Sequence, residues 1–205
     1  MNASPAPTVN HHADHPGFSG ATGLLCALLF LAMGRAKARL AVDIVSVSST
    51  DHVVDIGCGP GVAVRAAAHR GARATGIDPA PIMLRLARAV TRRHDGVDWA
   101  QGTAENLPVE TGSATVVWSL ATVHHWKDVT TGLAEAHRVL APGGRVLAIE
   151  RQSPPDATGL ASHGWTEHQA ESFAAQCRTA GFADVGVQGR GAGKGAVWSV
   201  RGVKP

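Results

Sequence analysis

The sequence predicts an α/β fold with a doubly wound sheet, because short apolar runs alternate with helical patterns along most of the 205 residues. Two of these runs carry acidic residues at their ends. The run at 53–56 leads into the turn Gly57–Gly61, and the run at 73–78 ends in Asp78. Open α/β sheets bind ligands at the carboxyl ends of their strands, so both ends are candidates for a binding site.

The turn after the first run has the pattern D-x-G-x-G-x-G, formed by Asp55, Gly57, Gly59 and Gly61. Glycine has no Cβ, so the turn can adopt positive φ and let a ligand approach the main chain. The helix that starts near Val62 directs free N–H groups at that ligand. A dinucleotide fingerprint would need glycine at position 62, so the pattern favours another nucleotide-like cofactor.

The length of the chain predicts one globular domain, since 205 residues suit one sizeable core and are too few for two ordinary domains. The net charge of +3 is small, and Arg85, Arg88, Arg92 and Arg93 recur at helical spacing. This favours a solvated helix face over a nucleic-acid surface. Three cysteines without a C-x-x-C pair argue against a disulfide framework and a zinc site, and favour the cytoplasm.

Residues 1–20 are rich in proline, glycine and histidine, and we expect a flexible arm that is either a lid or a disordered tail. His11, His12 and His15 lie in it and are candidates for contact with a substrate. Residues 21–205 are expected to form a single domain with N-terminal helices at about 21–47. The apolar run 21–33 is shorter than the roughly 20 residues that span a membrane, although a peripheral membrane helix stays open.

Periodicity predicts the remaining elements. Strands are expected at about 52–56, 73–78, 97–101, 113–120, 145–150, 182–188 and 196–203, and helices at about 62–69, from Pro81 onward, at 128–140 and at 166–180.

The sequence resembles the class I S-adenosylmethionine (SAM) dependent methyltransferases, in particular small type-11-like domains. Three features carry this resemblance: the glycine turn, the acidic strand end at Asp78 and the helix-to-strand segment at 135–145. The resemblance covers about residues 48–203. It implies a Rossmann-like doubly wound sheet of seven strands, with the last strand antiparallel and helices on both faces. It also implies SAM as cofactor and methyl transfer as activity; a divalent metal such as Mg²⁺ stays open without any pattern that indicates it.

By this resemblance, Asp78 accepts hydrogen bonds from the ribose hydroxyls, and Met83 takes the place of the apolar residue against the adenine. Thr103 stands where the family commonly has an aspartate, so Ala104 and Glu105 are expected to supply the adenine contacts. The predicted cofactor-binding residues are Asp55, Gly57, Gly59, Gly61, Asp78, Pro79, Met83, Thr103, Ala104, Glu105 and Ser119.

The acceptor is expected near His124 and His125, which follow the fourth strand at its carboxyl end. A hydroxyl acceptor needs a base, and a histidine with its ordinary pKa near ~6.5 is suitable. One of the pair can instead be a satisfied core residue. Glu150, at the end of the fifth strand, is a further catalytic candidate that is expected to position an acceptor hydroxyl or to bind a cation. Trp126 and His163 are expected to line the pocket.

We expect O-methylation of a small polar acceptor, with a sugar or oligosaccharide favoured because five tryptophans and no tyrosine suit stacking on pyranose rings. A general likeness to the mycobacterial sugar O-methyltransferases of methylmannose polysaccharide synthesis points the same way. The alternatives are a lipid or other natural-product acceptor, or a SAM-binding regulatory or assembly protein without catalysis. Neither nucleic acid nor a membrane span is expected, and a homodimer stays open.

Overall fold

The computed structural model describes residues 34–91 and 95–205, apart from the side chains of residues 160, 161 and 194. The predicted arm, with His11, His12 and His15, and the helix predicted at 21–33 lie outside the described residues. Of the helices in the described part, none has the length and apolarity that crossing a bilayer requires.

Five α-helices and seven strands follow one another in the described part of the chain. The helices are α1 (Arg35–Ile44), α2 (Val62–Ala68), α3 (Pro81–Val90), α4 (Val129–Val139) and α5 (Glu167–Thr179), and the strands are β1 (His52–Ile56), β2 (Arg73–Asp78), β3 (Val97–Gln101), β4 (Ala114–Leu120), β5 (Leu140–Arg151), β6 (Ala183–Arg190) and β7 (Val197–Val203). Short 3₁₀ turns lie at Val123–His125, Gly159–Ser162 and Gly193–Gly195.

The seven strands form one sheet in the order β3-β2-β1-β4-β5-β7-β6. Strands β1 to β5 pair in parallel, whereas β7 runs antiparallel to both β5 and β6. The predicted doubly wound sheet of seven strands with an antiparallel last strand is therefore confirmed. The order reverses at β1 and β4, and in such sheets the crevice at a reversal is the usual ligand site.

Helices cover both faces of the sheet. Residues of α1 and α2, such as Ala41 and Val64, pack with β1 and β4 on one face. On the other face, α4 and α5 contribute Leu133 and Phe173 to a second core cluster. Because β1 lies in the middle of the sheet, all five of its residues are buried. The position of the core thus leaves the strand ends as the place for polar chemistry.

The predicted strand bounds match β1, β2 and β3 to the residue. Two other predicted bounds differ from the structure by three residues or more. Helix α1 ends at Ile44 instead of Val47, because Ser46 adopts φ of 50°, outside the helical region. Strand β5 begins at Leu140 instead of Arg145, because Leu140 pairs with Ala114 on β4.

The three glycines of the turn all have positive φ, with values of 74°, 52° and 77° at Gly57, Gly59 and Gly61. At two of these glycines, a Cβ would collide with a neighbouring side chain. A Cβ on Gly61 would overlap the Trp99 ring, and one on Gly57 would lie 2.7 Å from the Thr122 side chain. A Cβ built on Gly59 would meet no atom of the described residues within 4 Å, so this side of the turn has room for a ligand.

Replacing Gly61 with alanine should lower the free energy of unfolding by about 2 kcal/mol or more, because the new Cβ combines a left-handed φ with overlap on Trp99. Gly59→Ala is the matched control, since it has the left-handed φ but open space. It should cost about 1 kcal/mol. Urea denaturation of both variants without ligand measures the difference; equal losses would contradict the packing of Trp99 on the turn.

Candidate functional site

The glycine turn is tied to the neighbouring strand by its own backbone. The Gly57 and Cys58 amides both donate to the Ile77 carbonyl, at 2.8 and 3.0 Å. The turn is further held by Arg65 on α2, whose Nη1 donates to the Pro60 carbonyl at 2.9 Å. The backbone that a cofactor would approach is therefore rigid before any ligand binds.

Asp78 links the end of β2 to this turn. Its Oδ2 accepts from the Gly59 amide and its Oδ1 from the Ala80 amide, both at 2.8 Å. Burial raises the pKa of Asp78, while these two hydrogen bonds act in the opposite direction. Each carboxylate oxygen can accept a second hydrogen bond, so the predicted contact with ribose hydroxyls fits the site.

Asp55, at the end of β1, is 2% exposed. Burial and, to a smaller extent, the charge of Asp78 raise its pKa to about 8, although the Trp118 indole acts in the opposite direction. With a pKa of about 8, Asp55 is mostly protonated at neutral pH. A cationic group bound beside it would favour the ionised form, because an opposite charge offsets the cost of burial.

The predicted adenine side is formed by the ends of β2 and β3. Met83 and Ala104 are buried, whereas Pro79 and Thr103 are exposed. Glu105 is engaged by the backbone, since its Oε1 accepts from the Lys127 and Asp128 amides at 2.7 and 3.1 Å. Glu105 therefore anchors the segment that follows the histidine pair.

A chain of hydroxyl groups connects β4 with the glycine turn. The Thr122 hydroxyl donates to the Ile56 carbonyl at 2.9 Å, and Ser119 Oγ lies 2.5 Å from Thr122 Oγ1. Ala121 between them has φ of 61°, which is unusual for a residue with a Cβ and aims Thr122 at the turn. Sequence reasoning missed Thr122, because its role is visible only through its contact with Gly57.

His124 and Glu150 form a hydrogen-bonded pair at the ends of β4 and β5. His124 Nδ1 lies 3.0 Å from Glu150 Oε2 and 3.2 Å from Oε1, and the Val123 amide donates to Oε1 at 2.9 Å. Glu150 is fully buried. In the tautomer in which Nδ1 donates to the Glu150 carboxylate, Nε2 is the ring nitrogen that can accept a proton.

The His124 ring lies near two further imidazoles, those of His125 and His163. The ring centroids of His124 and His125 are 4.1 Å apart, and that of His163 lies 5.7 Å from His124 and 6.4 Å from His125. The loop that carries His163 is closed at its base, where Trp165 N donates to Arg151 O at 2.8 Å. Within 34–91 and 95–205, no group of three or more histidine, cysteine or acidic residues is arranged to hold a metal ion.

The sequence predicts that Trp126 lines the acceptor pocket, but its ring is largely buried. It is 6% exposed and packs edge-on to Phe173, with ring centroids 6.4 Å apart. Gly132 on α4 makes this packing feasible, since a Cβ there would lie 2.5 Å from the Trp126 ring. Burial of the large apolar ring therefore places Trp126 in the core behind the histidines.

Part of this chain is similar to known proteins. Residues 54–148 match a family model described as a methyltransferase domain. A segment of 133 residues is 34% identical to the ubiquinone/menaquinone biosynthesis C-methyltransferase of Rubrivivax gelatinosus, and covers 64% of this chain and 51% of the relative. A segment of 111 residues is 40% identical to the ubiquinone biosynthesis O-methyltransferase of Pseudomonas aeruginosa, and covers 51% of this chain and 46% of the relative.

The chain thus spans about half the length of the curated relatives it matches. Its fold is similar to that of a SAM-dependent methyltransferase from Aquifex aeolicus, with a TM-score of 0.70 and 16% identity over 82% of this chain and 89% of that one. These relatives lend no support to the predicted sugar acceptor. The segment that matches the methyltransferase domain carries the glycine turn, Asp78 and the histidine pair.

Proposed function

We propose that this chain transfers the methyl group of SAM to a small acceptor that gives up a hydroxyl proton during the reaction, with His124 as the base. The observation that carries the proposal is the hydrogen-bonded pair of His124 and buried Glu150, at the strand edge that also carries the glycine turn. The match of residues 54–148 to a methyltransferase domain supports the reaction class, and this geometry supports the role of the histidine.

The residues at the ends of β1 and β2 suit SAM. Asp55 and Asp78 offer two buried carboxyl groups to a ligand that carries an ammonium, a sulfonium and two ribose hydroxyls. The open side of Gly59 lets that ligand reach the main chain. The hydrogen bonds that already hold Asp78 fix its orientation, so little ordering is needed on binding.

SAM supplies an activated methyl group, and the bond from its sulfur to the methyl carbon breaks as the bond to the acceptor forms. The remaining task is to remove one proton and hold the acceptor in line. The basic nitrogen of His124 takes the hydroxyl proton, and the buried carboxylate of Glu150 stabilises the imidazolium that results. His125 and His163 border the same space and are assigned to hold the acceptor.

The acceptor class that we propose is a hydroxylated ring. Two relatives are named for C- and O-methylation in ubiquinone or menaquinone biosynthesis. Removing the proton of a ring hydroxyl activates both its oxygen and the adjacent ring carbon, so one histidine base serves either outcome. A sugar hydroxyl is far less acidic and would demand more of the same base. Turnover of labelled SAM with a panel of quinols, phenols and sugars tests this choice and distinguishes an enzyme from a SAM-binding protein without catalysis.

Asp78→Ala should weaken binding of SAM by tenfold or more, because a charge-assisted hydrogen bond contributes about 1.5 to 3 kcal/mol. Isothermal titration calorimetry measures the affinity. Asp98→Ala is the control, since Asp98 is an exposed carboxylate on the neighbouring strand that forms an ion pair with Arg73, at 3.7 Å. Equal affinity of the Asp78→Ala variant and the wild type would remove Asp78 from the cofactor site.

His124→Asn should lower turnover by about 10²- to 10⁴-fold, because the asparagine amide can still donate to Glu150 but cannot take a proton. The affinity for S-adenosylhomocysteine should stay within about threefold of wild type if the loss concerns the chemical step. His125→Asn is the matched variant and should raise KM more than it lowers kcat. If His124→Asn methylates an acceptor at the full rate of the wild type, His124 is not the base.

A further inference from the structure

Lys37 on α1 is a half-buried cation that the mechanism does not use. Its ammonium forms no hydrogen bond or ion pair with any residue of 34–91 or 95–205. Burial lowers the pKa of Lys37, the charge of Glu150 opposes this change, and the charge of Arg151 adds to it. Since burial disfavours the charged ammonium, an anion bound beside Lys37 would stabilise it.

The direction of α1 places Lys37 at the acceptor end of the sheet. The end of α1 lies at the opposite edge, because Val45 O accepts from Arg145 Nη1 at 2.6 Å. From Val45 back to Lys37 the helix rises about 12 Å, and from Arg145 to Glu150 the strand advances about 16 Å. The two elements therefore carry Lys37 and Glu150 to the same level, in agreement with the electrostatic effect of Glu150 on Lys37.

The two ends of the site differ in charge. The cofactor end holds the buried carboxyl groups of Asp55 and Asp78. The acceptor end holds Lys37, Arg151 and three imidazoles, and its buried acid, Glu150, already accepts from Val123 N and His124. A negatively charged group on the acceptor would complete the charge balance at this end.

We propose that Lys37 binds an anionic group, a carboxylate or a phosphate, on the acceptor, so that the substrate is an acidic hydroxylated compound. This inference rests on the proposed function and adds the substrate class. SAM also carries a carboxylate, but the groups that act on Lys37 are Glu150 and Arg151, at the end of β5. The glycine turn has a cation of its own, Arg65, whose Nη1 donates to Pro60 O at 2.9 Å.

The test compares two ring compounds that differ in one charge, 3,4-dihydroxybenzoate and 3,4-dihydroxybenzamide. Each is titrated by calorimetry into the full chain saturated with S-adenosylhomocysteine. The acid should bind the wild type about tenfold more tightly than the amide, as expected for a charge-assisted hydrogen bond. Lys37→Met should abolish this preference. Arg39→Met, an exposed cation on the same helix, should keep it.

Each other result counts against the inference in a distinct way. If acid and amide bind the wild type equally, or neither binds, Lys37 does not select an anionic acceptor, while the proposed methyl transfer stands. If Lys37→Met weakens S-adenosylhomocysteine by tenfold and leaves the acid preference intact, Lys37 binds the cofactor carboxylate and the inference is overturned. If the wild type fails to bind S-adenosylhomocysteine at all, the proposed function itself fails. Thermal unfolding of each variant confirms that Lys37→Met is folded.

Discussion

The hydrogen bond from the Gly59 amide to the Asp78 carboxylate joins the glycine turn to the second strand, and the geometry of the cofactor edge depends on it. It holds the turn in its left-handed conformation and keeps a charged oxygen beside the open side of Gly59. The same carboxylate disfavours the ionised form of Asp55. One contact therefore sets the shape and the charge of the surface that we assign to SAM.

The acceptor end follows from the way the strand ends are connected. Ile56, at the end of β1, accepts from Thr122, and this contact fixes the start of the turn that bears His124. The backbone of that turn and the ring of His124 both bind Glu150 on β5. Hydrogen bonds among three strand ends thus connect the proposed base to the cofactor edge, which suits a reaction that depends on alignment.

The sequence predicted most of this because the signals were local. Apolar runs set β1, β2 and β3, and acidic residues at strand ends marked Asp55 and Asp78. Contacts across long separations were not predictable: Thr122 meets Ile56 from 66 residues away, and the burial of Trp126 depends on Gly132. Tryptophan count is a poor guide to a sugar acceptor once such rings are in the core. The sugar acceptor and the homodimer draw no support from the comparisons, and the cytoplasmic location stays a prediction.

We propose that a cationic cofactor binds beside Asp55, a buried acid whose raised pKa keeps it mostly protonated at pH 7. Since the pKa of Asp55 is about 8 without ligand, and a positive ligand lowers it, binding of SAM at pH 7.0 should release close to one proton. Affinity should correspondingly rise with pH between 6 and 7.5. Calorimetry in two buffers of different ionisation enthalpy counts the protons, with Asp55→Asn as the control that should release none. A binding enthalpy of the wild type that is independent of the buffer would contradict this account of the site.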